Sequence, residues 1–323
     1  MAKPKVIVTR RWPEQVEARL KECFDVELNT TDQPLSDAEL KDAFARADAV
    51  FPTVTDAINA VVLSDERMRA RFIGNFGVGF NHIDIESAQA RNLVVTNTPE
   101  VLTDATADIA MTLLLCVARR IGEGERHLRA GQWTGWRPTH MLGTQVAGKT
   151  LGLIGLGRIG RATAVRAHHG FRMRVLFFDP FPSELDFVAS IGAESRPTVE
   201  DVLRESDFVS IHCPATLENR HLINAQRLAC MRPDAFLINT ARGDIVEEAA
   251  LVEALEAGRI AGAGLDVFEH EPHVSPGLLD RENVVLLPHL GSASVETRVA
   301  MGLRVIDNAN AFFAGEEPPN RVV

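Results

Sequence analysis

The chain reads as an α/β protein built from two parallel sheets with helices packed on them. Two observations carry that reading. Apolar strand-like runs alternate with helical segments in two separate series, one in each half, which is the pattern of parallel strands joined by helical crossovers. A length of 323 residues also exceeds what a single hydrophobic core usually serves, so two domains are expected.

In the first series the strands are Lys5 to Val8, Asp25 to Leu28, Ala49 to Phe51, Arg71 to Asn75 and Leu93 to Thr96, with helices starting at Pro13 and Ser36. It holds no complete dinucleotide fingerprint. Leu102 to Arg119 then reads as an amphipathic, partly buried helix that Thr103 is suited to cap. The second series starts at Thr150 and continues through Arg174 to Phe178, Asp207 to His212, Ala235 to Asn239, Gly262 to Val267 and Val284 to Leu287. A last helix, Ser294 to Phe313, is expected to cross back and complete the first domain, making it discontinuous. The domains are then residues 1–100 plus 292–323 for substrate and 101–291 for a cofactor, with connecting helices as a hinge and a cleft between. No solenoid-period repeat or low-complexity segment is present.

The cofactor is indicated by the run LGLIGLGRIG at residues 151–160. Gly155 permits a tight turn, Gly157 lets a pyrophosphate approach the backbone, and Gly160 packs helix against strand, so that a diphosphate meets amides at a helix N-terminus. Glycine-rich turns are common, and the flanks decide: Lys149 to Ile154 reads as a buried strand and Arg158 to His168 as a helix. A second strand ends in Asp179, about 20 residues after the glycines, where a carboxylate holds ribose hydroxyls. The pattern is Rossmann-like. A carboxylate repels a 2′-phosphate, and Pro180-Phe-Pro-Ser after it offers no arginine, so NAD(H) is favoured over NADP(H).

Composition excludes other classes. A net charge of −10 and a pI near 5.5, without a clustered basic run, disfavour nucleic-acid binding. Cys23, Cys116, Cys213 and Cys230 are scattered and read as reduced cytosolic thiols. Strand-like sequence from Val6 leaves no room for a signal peptide, and even Ile109 to Val117 is too short to span a bilayer, so a cytoplasmic protein without membrane contact is expected. The run Glu269 to His273 mixes possible metal ligands around a proline and has no partner cluster, which argues against a metal site. His168 and His169, near a helix end, are expected at the surface.

Hydride transfer between nicotinamide and a carbonyl carbon needs an acid–base group for the oxygen and a cation to hold the substrate. Arg242 follows the strand ending at Asn239, and its planar fork suits a carboxylate beside a ketone. Asp266 and Glu271 follow the next strand, and His289 the one after. Parallel strands place all of these at one sheet edge. Taken singly, Arg242 is commonly a surface ion-pair partner, Glu271 a turn carboxylate before Pro272, and His289 a satisfied strand-end histidine.

With these motifs in order, the chain closely resembles the D-2-hydroxyacid dehydrogenase family, and within it the glyoxylate and hydroxypyruvate reductases. The resemblance spans the loop GVGFNHID at residues 77–84, the helix at Leu102, the glycine fingerprint and the Arg, Glu and His segments. It implies that Arg242 binds the substrate carboxylate and carbonyl, that His289 is the general acid in reduction and base in oxidation, and that Glu271 pairs with His289. A carboxylate beside a histidine favours the imidazolium, so a proton is at hand for the developing alkoxide. The resemblance further implies that the amides of Val78 and Gly79 hold the substrate carboxylate and that Asp266 receives the nicotinamide carboxamide. Thr106, Arg158, Ile159, Cys213, Pro214, Thr240, Ala241 and Gly291 are implied as further cofactor contacts, together with Gly155, Gly157, Asp179 and His289. A homodimer is implied as well.

The chain departs from the family where Asn219 replaces a usual threonine, and it stops at Val323 without the regulatory domain of many phosphoglycerate dehydrogenases. Gly77 in place of a lysine disfavours phosphite dehydrogenase, and Glu271 in place of a glutamine disfavours formate dehydrogenase. Trp133 to Gly143 resembles a loop that reaches a partner subunit's cleft, where His140 or Met141 would tune specificity; an exposed loop with ordinary packing tryptophans is the alternative. Small residues in Pro52 to Thr55 suit glyoxylate or hydroxypyruvate. The expected activity is NADH-dependent reduction of such a 2-keto acid to the 2-hydroxy acid. The alternatives are a dehydrogenase for bulkier 2-keto acids and, in another class, an NAD(H)-sensing corepressor.

Overall fold

The structure is a computed structural model that describes residues 2–181 and 185–323. The chain divides into two compact units, Met1–Leu102 with Ser292–Val323, and Thr103–Gly291.

The first unit is built on β1 (Lys5–Val8), β2 (Asp25–Leu28), β3 (Ala49–Phe51), β4 (Phe72–Gly74) and β5 (Val94–Thr96), all parallel in the order β2-β1-β3-β4-β5. Strands β3 and β4 are buried throughout, as expected of central parallel strands covered on both faces. The helix Asp37–Arg46 starts with a capping box, Ser36 accepting from the Glu39 amide while Glu39 accepts from the Ser36 amide. The C-terminal helix Val295–Ala314, capped by Ser294, completes this unit. It approaches so closely that a Cβ on Gly302 would stand 2.5 Å from Val16, and one on Gly74 would stand 2.6 Å from Val305. Phe312 lies over Phe72 with ring centres 5.0 Å apart.

The second unit carries seven parallel strands: β6 (Thr150–Ile154), β7 (Arg174–Phe178), β8 (Glu194–Ser195), β9 (Phe208–Ile211), β10 (Phe236–Asn239), β11 (Gly262–Leu265) and β12 (Val284–Leu286). Their order is β12-β11-β10-β9-β6-β7-β8, so the chain reverses direction across the sheet on either side of β6. Open sheets bind ligands at the carboxyl ends of strands at such a switch point. The helix Thr103–Ala118 buries Met111, Leu113, Leu114 and Val117 in this unit's core. It comes so near β11 that a Cβ on Gly264 would stand 2.9 Å from Leu113.

Some boundaries differ from expectation. Thr103 is itself the first helical residue, so it lies inside the first turn rather than capping it. The helix after the glycines is α-helical only over Arg158–Val165 and widens into a π turn at Arg166–Gly170. His168 is half-buried and His169 exposed. The helix Ile121–Arg129 lies outside the elements read from the sequence; it buries no residue and carries Gly122 and Gly124, poor helix formers, near its start. Among the described residues no helix is long and apolar enough to cross a membrane, no group of three or more His, Cys, Asp or Glu is placed to hold a metal, and all four cysteines are free.

Candidate active site

The second unit gathers its polar groups just beyond β10, β11 and β12. Asn239 ends β10; its side chain accepts from the Ala241 amide at 3.0 Å and donates to the Arg242 carbonyl at 2.8 Å, which folds the chain into a turn. Arg242 leaves that turn in extended backbone. Behind it only glycine fits: a Cβ on Gly243 would stand 1.9 Å from the Phe268 carbonyl carbon. The Arg242 turn and the segment after β11 are therefore packed backbone on backbone.

That segment carries Glu271. One carboxylate oxygen accepts from the Phe268 amide at 3.1 Å, and the other lies 2.8 Å from His289 Nδ1. His289 adopts left-handed backbone, φ 55°. Its loop is fastened by Asp266, whose carbonyl accepts from the His289 amide at 2.9 Å and whose buried carboxylate accepts from the Leu290 and Gly291 amides at 2.6 and 2.7 Å.

Arg242, Glu271 and His289 thus come together around Glu271. Burial alone would raise the Glu271 carboxyl, but the His289 hydrogen bond and charge, the Phe268 amide and the Arg242 charge outweigh it and hold the group below the usual carboxylate range. Enclosure lowers the Arg242 pKa, while Glu271 and Asp244 oppose that shift; a guanidinium keeps its charge regardless. Burial raises Asp266, against the two amides that favour its ionised form.

The glycine turn meets the steric demands of a dinucleotide. Gly155 has φ 94°, and a Cβ there would stand 2.7 Å from the Cys213 amide nitrogen, so no other residue is tolerated. At Gly157, where the helix begins, a Cβ would meet nothing within 4 Å, leaving the backbone open to a ligand. Asp179 clasps the turn, accepting from the Leu156 amide at 2.8 Å and the Phe181 amide at 2.9 Å. Pro182 and Ser183, part of the arginine-free segment after it, lie outside the described residues. Thr106 lines the same region as Gly291 and Asp266, its methyl 3.4 Å from where a Gly291 Cβ would be. The Thr240 hydroxyl is buried with no partner among the described residues, an acceptor and donor left for something the protein does not supply. These features fit a nicotinamide dinucleotide. Cys213, half-buried, has its thiol pushed up to about 12 chiefly by burial, which leaves it unreactive.

In the first unit, Asn75 donates from Nδ2 to the carbonyls of Gly77 and Gly79 at 3.0 and 2.9 Å, and Asn97 donates to that of Val78 at 2.9 Å. The carbonyls of Gly77, Val78 and Gly79 are thus taken up by asparagine side chains, and Val78 and Gly79 are half-buried. Val54 packs beside Gly77, 3.3 Å from where its Cβ would be.

Residues 111–291 match the family described as D-isomer specific 2-hydroxyacid dehydrogenase, NAD binding domain. Over 99% of its length the chain is 46% identical to a glyoxylate reductase from Korarchaeum cryptofilum, covering 96% of that protein. The chain belongs to the D-isomer specific 2-hydroxyacid dehydrogenases. It is an NAD(P)-dependent oxidoreductase with a nicotinamide-binding unit. A glyoxylate reductase from Pyrococcus horikoshii is 45% identical to this dehydrogenase over 99% of the chain and 96% of its own length. Among solved structures, an NADPH-dependent glyoxylate/hydroxypyruvate reductase from Sinorhizobium meliloti superposes with a TM-score of 0.88 at 36% identity, covering 100% of this chain and 97% of that one. A Thermus thermophilus protein gives 0.90 at 42% identity, covering 99% and 100%.

Several structural residues of the dehydrogenase escaped the sequence reading. Asn75 and Asn97 had a signal, since asparagine at a strand end commonly bonds to nearby backbone. His212 had none: burial pushes it down to about 4, so it stays neutral, with Nε2 2.9 Å from Ser210 Oγ beneath the glycine turn. Asn219, where the family has threonine, donates to the Pro214 carbonyl at 2.9 Å and so holds its own loop. In the Trp133 to Gly143 loop, Trp136 is 81% exposed, His140 Nδ1 lies 3.0 Å from Arg137, and Met141 takes left-handed backbone.

Proposed function

We propose that this dehydrogenase reduces a small 2-keto acid, glyoxylate or hydroxypyruvate, to the 2-hydroxy acid with NADH. The observation that carries the reading is the orientation of His289: Glu271, whose carboxylate also feels the Arg242 charge, takes Nδ1, which leaves Nε2 as the nitrogen that can face a substrate oxygen. The names of the relatives, glyoxylate reductases at 43–46% identity, support the substrate class.

NADH, when bound, supplies the hydride that adds to the carbonyl carbon. Arg242 holds the carboxylate and polarises the carbonyl, and its charge offsets the negative charge that develops on oxygen. His289 donates its Nε2 proton to that oxygen, completing the hydroxyl, and the neutral ring is the base for the reverse reaction. Glu271 keeps the ring oriented. The Val78 and Gly79 amides take the substrate carboxylate. Gly155, Gly157, Arg158 and Ile159 take the diphosphate. Asp179 takes the adenosine ribose, which favours NAD(H) over NADP(H). Thr106, Cys213, Pro214, Thr240, Ala241, Asp266 and Gly291 line the rest of the cofactor site. The reading includes the homodimer that the family resemblance implies, and Ile121, Leu128, Trp133, Trp136 and Leu142 are exposed apolar side chains within one short stretch.

Loss of NADH absorbance with glyoxylate, hydroxypyruvate, pyruvate and phenylpyruvate in parallel tests the reading. Turnover of the first two is expected. Preference for phenylpyruvate would move the assignment to bulkier acids, and NADH binding without turnover of any would favour a sensor. His289→Ala is expected to abolish turnover with NADH affinity kept; loss of both together would make His289 structural.

A further inference from the structure

A second histidine–carboxylate pair stands two residues upstream of Glu271. His221 Nε2 lies 2.6 Å from Glu269 Oε1, with the carboxylate nearly enclosed. The other oxygen of Glu269 accepts from the Glu248 amide at 3.3 Å, at the start of the helix Glu248–Glu256, where a negative charge is favoured. Glu248 reciprocates, accepting from the Glu269 amide at 3.1 Å and the Ser275 amide at 2.9 Å. His221 is itself anchored, its amide donating to the Asp244 carbonyl at 2.8 Å, two residues beyond Arg242. Glu269 therefore ties the Glu271 segment to the Arg242 turn from one side, while Gly243 and Phe268 lock the same two segments from the other. The His221 and Glu248 contacts, with the charges of His221 and His270, hold the Glu269 carboxyl below its ordinary range despite burial that would raise it.

We propose that His221 and Glu269 are positioning residues that fix Glu271, and through it His289, relative to Arg242. The proposal rests on the catalytic reading given above for those three residues. Glu269 bonds to His221 and Glu248, and its influence on the site runs through the segment Phe268 to Ser275. A small displacement of such a segment is enough to cost about 10- to 100-fold in rate.

The test uses His221→Ala, which removes the donor, and His221→Gln, whose amide nitrogen can stand where Nε2 does. With glyoxylate and NADH, kcat of His221→Ala is expected to fall about 10- to 100-fold with the NADH dissociation constant unchanged, and His221→Gln to recover most of it. In a Glu271→Gln background the further effect of His221→Ala should nearly vanish, because the two act as one unit. An equal loss in both backgrounds, or no recovery with glutamine, overturns the proposal. Amide hydrogen exchange across residues 268–275 reads the same segment without substrate. Faster exchange there in His221→Ala supports the proposal and unchanged exchange overturns it, even if the wild-type enzyme turns over none of the keto acids. If His221→Ala fails to fold, Glu269→Gln is measured the same way.

Discussion

Gly243 shows how a single absent side chain serves the chemistry. Its Cβ would fall inside the Phe268 carbonyl group, and backbone has no rotamer by which to escape. Gly243→Ala is expected to cost about 2–3 kcal/mol by overpacking, with the loss visible as a lower denaturant midpoint. Activity should fall further than stability explains, because the strain lies between Arg242 and Glu271; unchanged kcat in the folded fraction would refute that. At this scale the sequence was informative where chemistry is ordered along strands. Arg242, Glu271 and His289 each follow a legible apolar run, and parallel topology does the rest. It was silent on His221 and Glu269, because a pair 48 positions apart has no spacing rule to betray it.

Among the elements, the outer edge of the larger sheet depends on charge more than burial. The two-residue β8 is held to β7 by Glu194, which bonds to both Arg174 and Arg196, while Arg196 also grips Glu205. Hydrogen bonds and charge from both arginines hold the Glu194 carboxyl at about 2, below its ordinary 4.5. The folded state thus binds this proton less readily than the unfolded chain, so the stabilisation is complete above about pH 4.5 and is lost as pH falls toward 2. For so exposed a network the contribution is about 1 kcal/mol or less. Glu194→Gln should lower the urea midpoint slightly at pH 7 and leave it unchanged near pH 2; an equal effect at both would place the loss elsewhere. A strand as short as β8 is an element that sequence periodicity does not reveal, because two residues hold no repeat, and in Ile121–Arg129 two glycines near the start obscure the helix.

For the molecule as a whole, the division into units was legible because each series of strands closes on its own core. The return of the last helix to the first unit was legible only as a crossover with nowhere else to pack. What fastens it, glycines at positions 74 and 302 meeting Val305 and Val16, depends on close approach that no pattern encodes. Ligand linkage follows from the same division. NADH at about a hundredfold excess over its dissociation constant should stabilise the unit that binds it by about 2.7 kcal/mol. If calorimetry resolves two transitions, only the one belonging to residues 103–291 should move; a shift confined to the other would relocate the cofactor. The clasp that Asp179 makes with the Leu156 and Phe181 amides sets a condition on engineering. On the proposed placing of the ribose at Asp179, swapping that aspartate for a small neutral residue to admit a phosphorylated ribose also frees the Leu156 and Phe181 amides that hold the glycine turn. A variant built to accept a 2′-phosphate must therefore first install a substitute acceptor for both backbone donors, and only then add an arginine.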